Sequence, residues 1–139
     1  MRRGRSRRRS RRGAAAVELA VLLPFLTLAS LGAVDFGLAF RCVAAVTDCA
    51  RSGAAAAIDP AVGAAGLDAA IRAAAAGAAA DLDVAPTVSW AAGQDAEGLD
   101  YVEVTATYEY HGIVGSLSGL SSATIARTVR MMRAPLSGS

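Results

Sequence analysis

Few residues of this chain could do chemistry, and the most informative of them is Glu18. Residues 19–34 carry no charge, and between residues 14 and 40 only Glu18 and Asp35 are ionised. A carboxylate inside an apolar run of this kind is unfavourable in lipid unless a partner group compensates its charge. We therefore expect Glu18 to need a positively charged partner.

The other candidates for catalysis or metal binding are isolated. His111 is the single histidine of the chain, and no Ser-His-Asp set, nucleophile motif or Gly-rich phosphate loop can be read in the sequence. A lone histidine leaves general base catalysis without a candidate, and it is more often a surface or core residue than a ligand. We expect no enzymatic activity, no cofactor, no metal site and no small-molecule substrate.

An acidic cluster follows in the second half of the chain, where it could suggest a cation site. Its spacing matches no EF-hand loop, and a solvated loop explains it more simply. The cluster consists of Asp95, Glu97, Asp100 and Glu103.

The two cysteines, Cys42 and Cys49, are seven residues apart. On a continuous helix they face the same side but lie about 10.5 Å apart along the axis. That separation exceeds the roughly 7 Å between Cα atoms that a disulfide tolerates. We expect two free thiols, and an intersubunit disulfide outside the membrane is the alternative.

The apolar run is long enough to cross a bilayer as a helix. Residues 14–40 would extend roughly 40 Å, against a hydrocarbon thickness of about 30 Å. Pro24 lies inside the run and predicts a kink, because it removes one backbone hydrogen bond. The sequence therefore predicts a transmembrane helix over residues 14–40.

The arginines are concentrated before this helix. Eight of the 14 arginines lie within residues 2–12, and all 12 acidic residues come later. The positive-inside rule then predicts a cytoplasmic N-terminus and an exported C-terminal part. Such a block could also bind nucleic acid, but it lacks interleaved aromatic residues and adjoins the membrane span. We expect it to be attracted to the cytoplasmic leaflet and expect no nucleic-acid partner.

Residues 41–139 predict an exported domain that begins with helices. The first helix continues as a stalk with Val43, Val46 and Ala50 on one side. Asp59 and Pro60 indicate the N-cap and first position of a second helix. An Ala-rich stripe marks its apolar face. The stripe consists of Leu67, Ile71, Ala75, Ala78 and Leu82.

After Pro86 the composition changes to β-branched and aromatic residues. Residues 101–110 alternate strictly between apolar and polar side chains, which is typical of a half-buried antiparallel strand. Residues 84–90 form a weaker strand, and residues 124–132 fit a strand better than a helix. The fold class is therefore α+β: a long N-terminal transmembrane helix extending into a stalk, a second Ala-rich helix and an antiparallel sheet of about three strands.

The junction at residues 11–18 resembles the class III signal of type IV pilin-like proteins. It has a basic leader ending in Gly13, then an apolar helix with glutamate at its fifth position. The resemblance implies that a prepilin peptidase cuts between Gly13 and Ala14 on the cytoplasmic side. A small residue at position 13 would let the peptidase approach the backbone. The freed α-amino group of Ala14 on a neighbouring subunit would then be the partner of Glu18 and would set the register of assembly.

More of the chain is similar to one branch of these proteins, the TadE-like family of minor pilins, or pseudopilins, of the Tad (Flp) tight-adherence system. The similarity covers about residues 11–57, and Met131-Met132-Arg133 fits the family's final strand. Asp48 and Cys49 depart from the family pattern, which usually has small or amide residues there. The motifs that carry the resemblance are Gly13-Ala14-Ala15-Ala16-Val17-Glu18-Leu19-Ala20, Leu23-Pro24, Asp35-Phe36-Gly37 and Ala50-Arg51-Ser52-Gly53-Ala54.

Two other interpretations of the N-terminal segment stay open. A plain single-pass anchor of a structural or binding protein unrelated to pili needs nothing special at Gly13 or Glu18. A removable secretory signal could be cut near residues 30–33. The pilin-type interpretation is favoured because a simple signal would gain nothing from Glu18.

The resemblance implies three regions and a set of partners. Residues 1–13 would be the basic cytoplasmic leader, residues 14–40 the transmembrane helix and residues 41–139 the exported pseudopilin domain. The expected location is the cytoplasmic (inner) membrane of a bacterium. Association with a pilus is a second expectation. Expected partners are the prepilin peptidase, other Tad/Flp pilins and pseudopilins, and inner-membrane lipid. The expected function is to take part in the assembly of a pilus for adhesion or secretion.

Overall fold

A computed structural model describes residues 6–113, 115, 119 and 122–133, with residues 6–12 and 64 described by their backbone alone. Two α-helices come first, followed by three β-strands. They are α1 (Ser6–Ala57), α2 (Leu67–Ala78), β1 (Thr87–Gln94), β2 (Asp100–Tyr110) and β3 (Ala123–Met132), with a short 3-10 turn at Ala64–Gly66. This arrangement confirms the predicted α+β class.

The chain divides into an N-terminal unit, Met1–Gly37, and a C-terminal unit, Leu38–Ser139. Helix α1 passes from the first unit into the second. Within the first unit, the described part is helix alone, and it includes Pro24. We call the second unit the exported unit, after the topology that the arginines predict.

One face of α1 is buried in the core of the exported unit. Its buried positions recur at the three- and four-residue spacing of one helix face. Val46 and Ala50 belong to this face, as the stalk pattern predicts, while Val43 is half-buried. The buried hydrophobic residues of α1 are Val46, Cys49, Ala50, Ala54 and Ala57.

The predicted N-cap at Asp59 is wrong. The Asp59 side chain accepts a hydrogen bond from the Ala61 amide (2.9 Å), and the Asp59 carbonyl accepts one from Val62 (3.0 Å). These bonds close a turn around Pro60 instead of starting a helix, because Asp two residues before a backbone amide favours an Asx turn. Helix α2 begins later, with Gly66 as its N-cap.

Helix α2 buries Leu67, Ile71 and Ala75, which confirms the predicted stripe up to that point. The helix ends at Ala78, where the Ala79 amide donates to the Ala76 carbonyl. Leu82 therefore lies beyond the helix, yet it still packs against the core formed by Val46 and its neighbours.

The three strands form an antiparallel sheet in the order β1-β2-β3. The alternation predicted for β2 is confirmed, since Val102, Val104 and Ala106 are buried against the helices while their neighbours are not. Strand β1 begins three residues later than predicted, after Pro86, and extends to Gln94 because that residue pairs with Asp100. Pro86 has no amide hydrogen to donate to the ladder.

Residues 124–132 form a strand, as favoured, because they pair along β2 from Tyr101↔Met132 to Tyr110↔Ala123. The fully buried side chains of the unit are small, and the largest are Ile71, Val46, Val104 and Cys49. The core is thin because most positions facing the sheet from the helices are alanine or glycine.

Candidate functional site

The N-terminal part of α1 presents an apolar surface that none of the described residues covers. Within the described residues, Gly13–Ala57 is the one helical stretch long and apolar enough to cross a membrane, and none of its most apolar window is buried. A core helix of a water-soluble protein would be mostly buried. The exposed large side chains include Val17, Leu19, Val21, Leu22, Leu23, Phe25, Leu26, Leu28, Val34 and Phe36.

Gly13 lies within α1, where no packing contact accounts for a glycine. A methyl group at position 13 would meet no other described atom within 4 Å beyond its own turn of helix. Gly53, further along α1, differs: a methyl group there would stand 3.2 Å from Val104 Cγ1 and 3.3 Å from Ile71 Cγ2. Glycine inside a helix costs about 1 kcal/mol relative to alanine. Packing therefore explains Gly53 but not Gly13.

Ala14 and Glu18 lie one helical turn apart on α1, and both are exposed. Residues at this spacing share a helix face. Among the described side chains, none forms a hydrogen bond or ion pair with the Glu18 carboxylate. The structure thus keeps this carboxylate accessible to a group from another molecule, on a surface that is otherwise apolar.

Pro24 lies in the middle of the apolar segment. As proline has no amide hydrogen, the carbonyl four residues earlier loses its helical donor. Three residues further on, the Thr27 hydroxyl donates to the Leu23 carbonyl at 2.8 Å. The helix is continuous through Pro24, and the kink stays a prediction.

The two cysteines have different surroundings. Cys49 is fully buried in the cluster that includes Val46, Ala75 and Ala106. Cys42 is half-buried, and both thiols are free. An intersubunit disulfide through Cys49 would require the core to open. Of the two cysteines, Cys42 is therefore the one that could form an intersubunit disulfide.

Three of the four acidic residues of the predicted cluster, Asp95, Asp100 and Glu103, make hydrogen bonds or ion pairs within the fold. Asp95 Oδ1 accepts hydrogen bonds from the Glu97 amide (3.0 Å) and the Leu99 amide (2.8 Å). Gln94 Nε2 donates to Asp100 Oδ1 at 2.9 Å, and Glu103 pairs with Arg130 at 2.8 Å. Within the described part of the chain, no three histidine, cysteine or acidic residues are grouped as metal ligands would be.

A cavity of about 600 Å³ lies beside Leu38, the first residue of the exported unit. Its walls include Leu38 and Arg41 of α1, the linker after α2, and the end of β2, where His111 lies. Nothing in the sequence pattern indicates this cavity, because its walls come from segments far apart in the chain. The lining is mixed, with no set of side chains arranged for catalysis among those described.

Comparison with known proteins adds one family match. The family model for "TadE-like protein" matches residues 13–55, the segment that begins at Gly13 and includes Glu18 and Pro24. No curated protein and no solved structure matches the chain. The match confirms the resemblance indicated by the sequence motifs: residues 13–55 match the TadE-like family.

Proposed function

We propose that this chain is a minor pilin, or pseudopilin, that takes part in assembly of a Tad/Flp-type pilus for adhesion or secretion. The observation that carries the proposal is the match to the TadE-like family over residues 13–55. The exposed apolar segment supports it, because a surface of this kind needs lipid or neighbouring helices to cover it. In this role the protein is structural and has no catalytic activity, cofactor or small-molecule substrate.

The same segment supports processing between Gly13 and Ala14 by a prepilin peptidase. Gly13 weakens the helix without serving a packing contact in the described structure. A glycine at this position would instead be explained by a peptidase that needs access to the backbone. Before processing, residues 1–13 would be the cytoplasmic leader; afterwards, residues 14–40 would hold the protein in the inner membrane with residues 41–139 exported.

Co-expression with a prepilin peptidase tests this processing. We expect the protein to become shorter by thirteen residues, with Ala14 as the new N-terminus determined by N-terminal sequencing. Gly13→Leu should block the cut, whereas Gly32→Leu, a change at another helical glycine without neighbours within 4 Å, should not. An intact Met1 would favour the plain anchor, and a cut near Ala33 would favour a secretory signal; either result contradicts the proposal.

Glu18 would act in assembly by pairing with the α-amino group of Ala14 on a neighbouring pilin. Glu18 is exposed on an apolar helix surface, where an unpaired carboxylate is unfavourable in lipid. An ion pair would be strong in that medium, and its position would determine the register between helices.

We therefore expect Glu18→Ala to leave membrane insertion intact and to weaken recovery of other Tad/Flp pilins with the protein. Thr27→Ala is the control, because the Thr27 hydroxyl bonds within its own helix. Affinity purification from membranes, with quantitation of co-purified pilins, measures the effect. Equal recovery with Glu18→Ala and with the unmodified protein would exclude the register role.

A further inference from the structure

We propose that strand β1 of the exported unit pairs edge to edge with β1 of a second copy of this chain. The two three-stranded sheets then form one sheet of six strands, in the order β3-β2-β1-β1′-β2′-β3′. The surface that carries the inference is the side of β1 (Thr87–Gln94) that faces away from β2, which we call the β1 edge. It lies wholly within the exported unit, and the inference does not depend on the proposed role in a pilus.

The sheet has two edges that could accept another strand. Its order is β1-β2-β3, so β1 and β3 each have a ladder of hydrogen bonds on one side only. The pairing of β1 with β2 is regular from Thr87↔Thr107 to Gln94↔Asp100, with no bulge to bend the strand. None of the residues of β1 is buried. A regular, accessible edge of this length is a template for a further strand.

Two hydrogen bonds at the strand ends show which backbone groups of β1 point outward. The Asp95 amide donates to the Leu99 carbonyl (3.0 Å) across the β1–β2 hairpin, and the Arg133 amide donates to the Asp100 carbonyl (2.8 Å) at the end of β3. Along an antiparallel pair, hydrogen-bonded and non-hydrogen-bonded positions alternate. Counting from either bond gives the same result: odd-numbered residues of β1 bond to β2, and even-numbered residues direct their amide and carbonyl groups outward.

The outward residues of the β1 edge are therefore Val88, Trp90, Ala92 and Gln94. Within the described part of the chain, no group forms a hydrogen bond with an outward amide or carbonyl of these four residues. Trp90 and Gln94 do form hydrogen bonds outside the ladder, but with their side-chain nitrogens. A row of unpaired peptide groups is what an added strand binds.

The edge at β3 differs because arginines protect it. By the same alternation Ala126 faces outward, and Arg127 Nη1 donates to its carbonyl at 3.5 Å. Arg130 adds a second positive charge on this strand. Two copies of β3 would bring like charges together, which is unfavourable across a strand pair. Strand β1 contains neither a charged residue nor a proline, so it is the unprotected edge.

Symmetric pairing of two β1 strands uses all the outward residues at once. In the register that places Ala91 opposite Ala91 of the second copy, each outward residue lies opposite another outward residue. A shift of two residues in one direction places Gln94 opposite Pro86, which has no amide hydrogen to donate. The opposite shift places Val88 opposite Ala96, which lies beyond the strand. The register centred on Ala91 therefore forms the most hydrogen bonds.

The side chains of β1 allow this close approach. Trp90 packs on the core from the helix side of the sheet, so the odd-numbered residues lie on the other face. Those between Val88 and Gln94 are small and uncharged: Ser89, Ala91 and Gly93. Nothing on this face repels a second copy of the strand. Pairing of β1 with β3 of the second copy would instead break the bond that covers the β3 carbonyl.

This contact is small, because eight residues a side are fewer than the roughly 20–30 a side of a standard interface. We therefore expect weak association in dilute solution and pairing where the chains are concentrated in one membrane. A covalent trap in lipid vesicles is the suitable measurement.

Disulfide trapping tests the β1 edge. The full chain carries Cys42→Ser, while Cys49 stays because it is fully buried. Ala91→Cys places a thiol at the centre of the pairing, where non-hydrogen-bonded neighbours have Cα atoms about 4.5 Å apart, within the range of a disulfide. Ala126→Cys is the matched control, the same change at an exposed alanine of the other edge strand. Each protein in phosphatidylcholine vesicles is oxidised with copper phenanthroline in air and analysed on a non-reducing gel.

We expect the Ala91→Cys protein to shift from monomer to disulfide-linked dimer and the Ala126→Cys protein to stay monomeric. Ala92→Pro, added to Ala91→Cys, should abolish the dimer, because it removes an outward amide and leaves the ladder with β2 intact. Gln94→Pro, at the end of the strand, replaces Ala92→Pro if circular dichroism shows that variant to be misfolded.

Equal dimer formation by Ala91→Cys and Ala126→Cys would show collision or contact through the apolar helix, and would overturn the proposal. So would an Ala91→Cys protein that stays monomeric, or a dimer that persists in a folded Ala92→Pro variant. In membranes of cells that make the protein, a cross-link from Ala91→Cys to a different protein in place of the dimer would contradict self-pairing. None of these outcomes bears on the peptidase cut after Gly13, so the two proposals fail independently.

Discussion

Asp68 accepts one hydrogen bond within α2 and one from β1. Arg72 Nε donates to Oδ2 at 2.8 Å, and Trp90 Nε1 donates to Oδ1 at 2.9 Å. Both donors favour the ionised carboxylate. The hydrogen bonds from Arg72 and then Trp90 therefore lower the pKa of Asp68 below its ordinary value of 3.8. The indole bond orients Trp90 over α2.

The lowered pKa predicts a pH dependence of stability. A carboxyl group with a lower pKa in the folded state stabilises the fold above its unfolded pKa, and this stabilisation is lost as the pH falls through the folded-state pKa. We expect the unmodified protein to be more stable than Asp68→Asn near neutral pH, and the difference to shrink as the pH falls from about 4 through the lowered pKa of the folded state.

Thermal unfolding of the detergent-solubilised chain, followed by circular dichroism across this pH range, measures the difference. Trp90→Phe removes one of the two donors and should reduce the pH-dependent part of the stability. A difference between the unmodified protein and Asp68→Asn that does not change with pH would contradict the assignment.

At the scale of elements, the close packing of α1 on the sheet depends on a glycine. In the exported unit, Gly53 lets α1 approach Val104 of β2 and Ile71 of α2. Gly77 of α2, in contrast, has no neighbour within 4 Å of an added methyl group. Only the first of these two glycines is required for close packing of a helix on the sheet.

We expect Gly53→Val to lower the free energy of unfolding by about 1–3 kcal/mol, because the added methyl groups would overpack the contact with Val104 and Ile71. The same change at Gly77 should alter it by no more than about 0.5 kcal/mol, as valine and glycine differ little in an exposed helix position. Chemical denaturation in detergent measures both. Equal losses for the two variants would show that helix propensity, not packing, governs position 53.

At the scale of the whole molecule, charge and hydrophobicity are unevenly distributed. The net charge of +2 combines eight arginines in residues 2–12 with a remainder of six arginines against twelve acidic residues, a side-chain charge of −6. The 54% of hydrophobic residues likewise divides between an exposed apolar helix and a thin core built largely of alanine. A small core contributes only a small free energy of unfolding.

Truncation of the largest fully buried side chain tests how much the exported unit depends on that core. Ile71→Ala should lower the free energy of unfolding by about 2–5 kcal/mol, because it leaves a cavity between α2 and the sheet. Leu99→Ala removes a partly exposed side chain at the hairpin (44% exposed) and should change it by less than about 0.5 kcal/mol. Near-equal melting temperatures for both variants would show that the core does not depend on Ile71.

Features that depend on local pattern could be predicted from the order of residues alone. The strict alternation of residues 101–110 and the apolar length of residues 14–40 each lie within one segment, so periodicity was enough to predict a strand and a membrane-spanning helix. The family was predicted separately, from the resemblance of the motif between Gly13 and Glu18 to known pilin-like signals. The family match over residues 13–55 depends on the same local residues.

Features that depend on contacts between distant segments became visible only in the folded chain. It showed that Asp59 closes a turn instead of capping α2, that Gly53 is a packing glycine while Gly13 is not, and that Asp68 meets Trp90. It also brought Val84 and Tyr110 into one cavity with Leu38. The physical reason is that burial and hydrogen bonding depend on which surfaces the fold brings together, and residue order alone does not specify those surfaces.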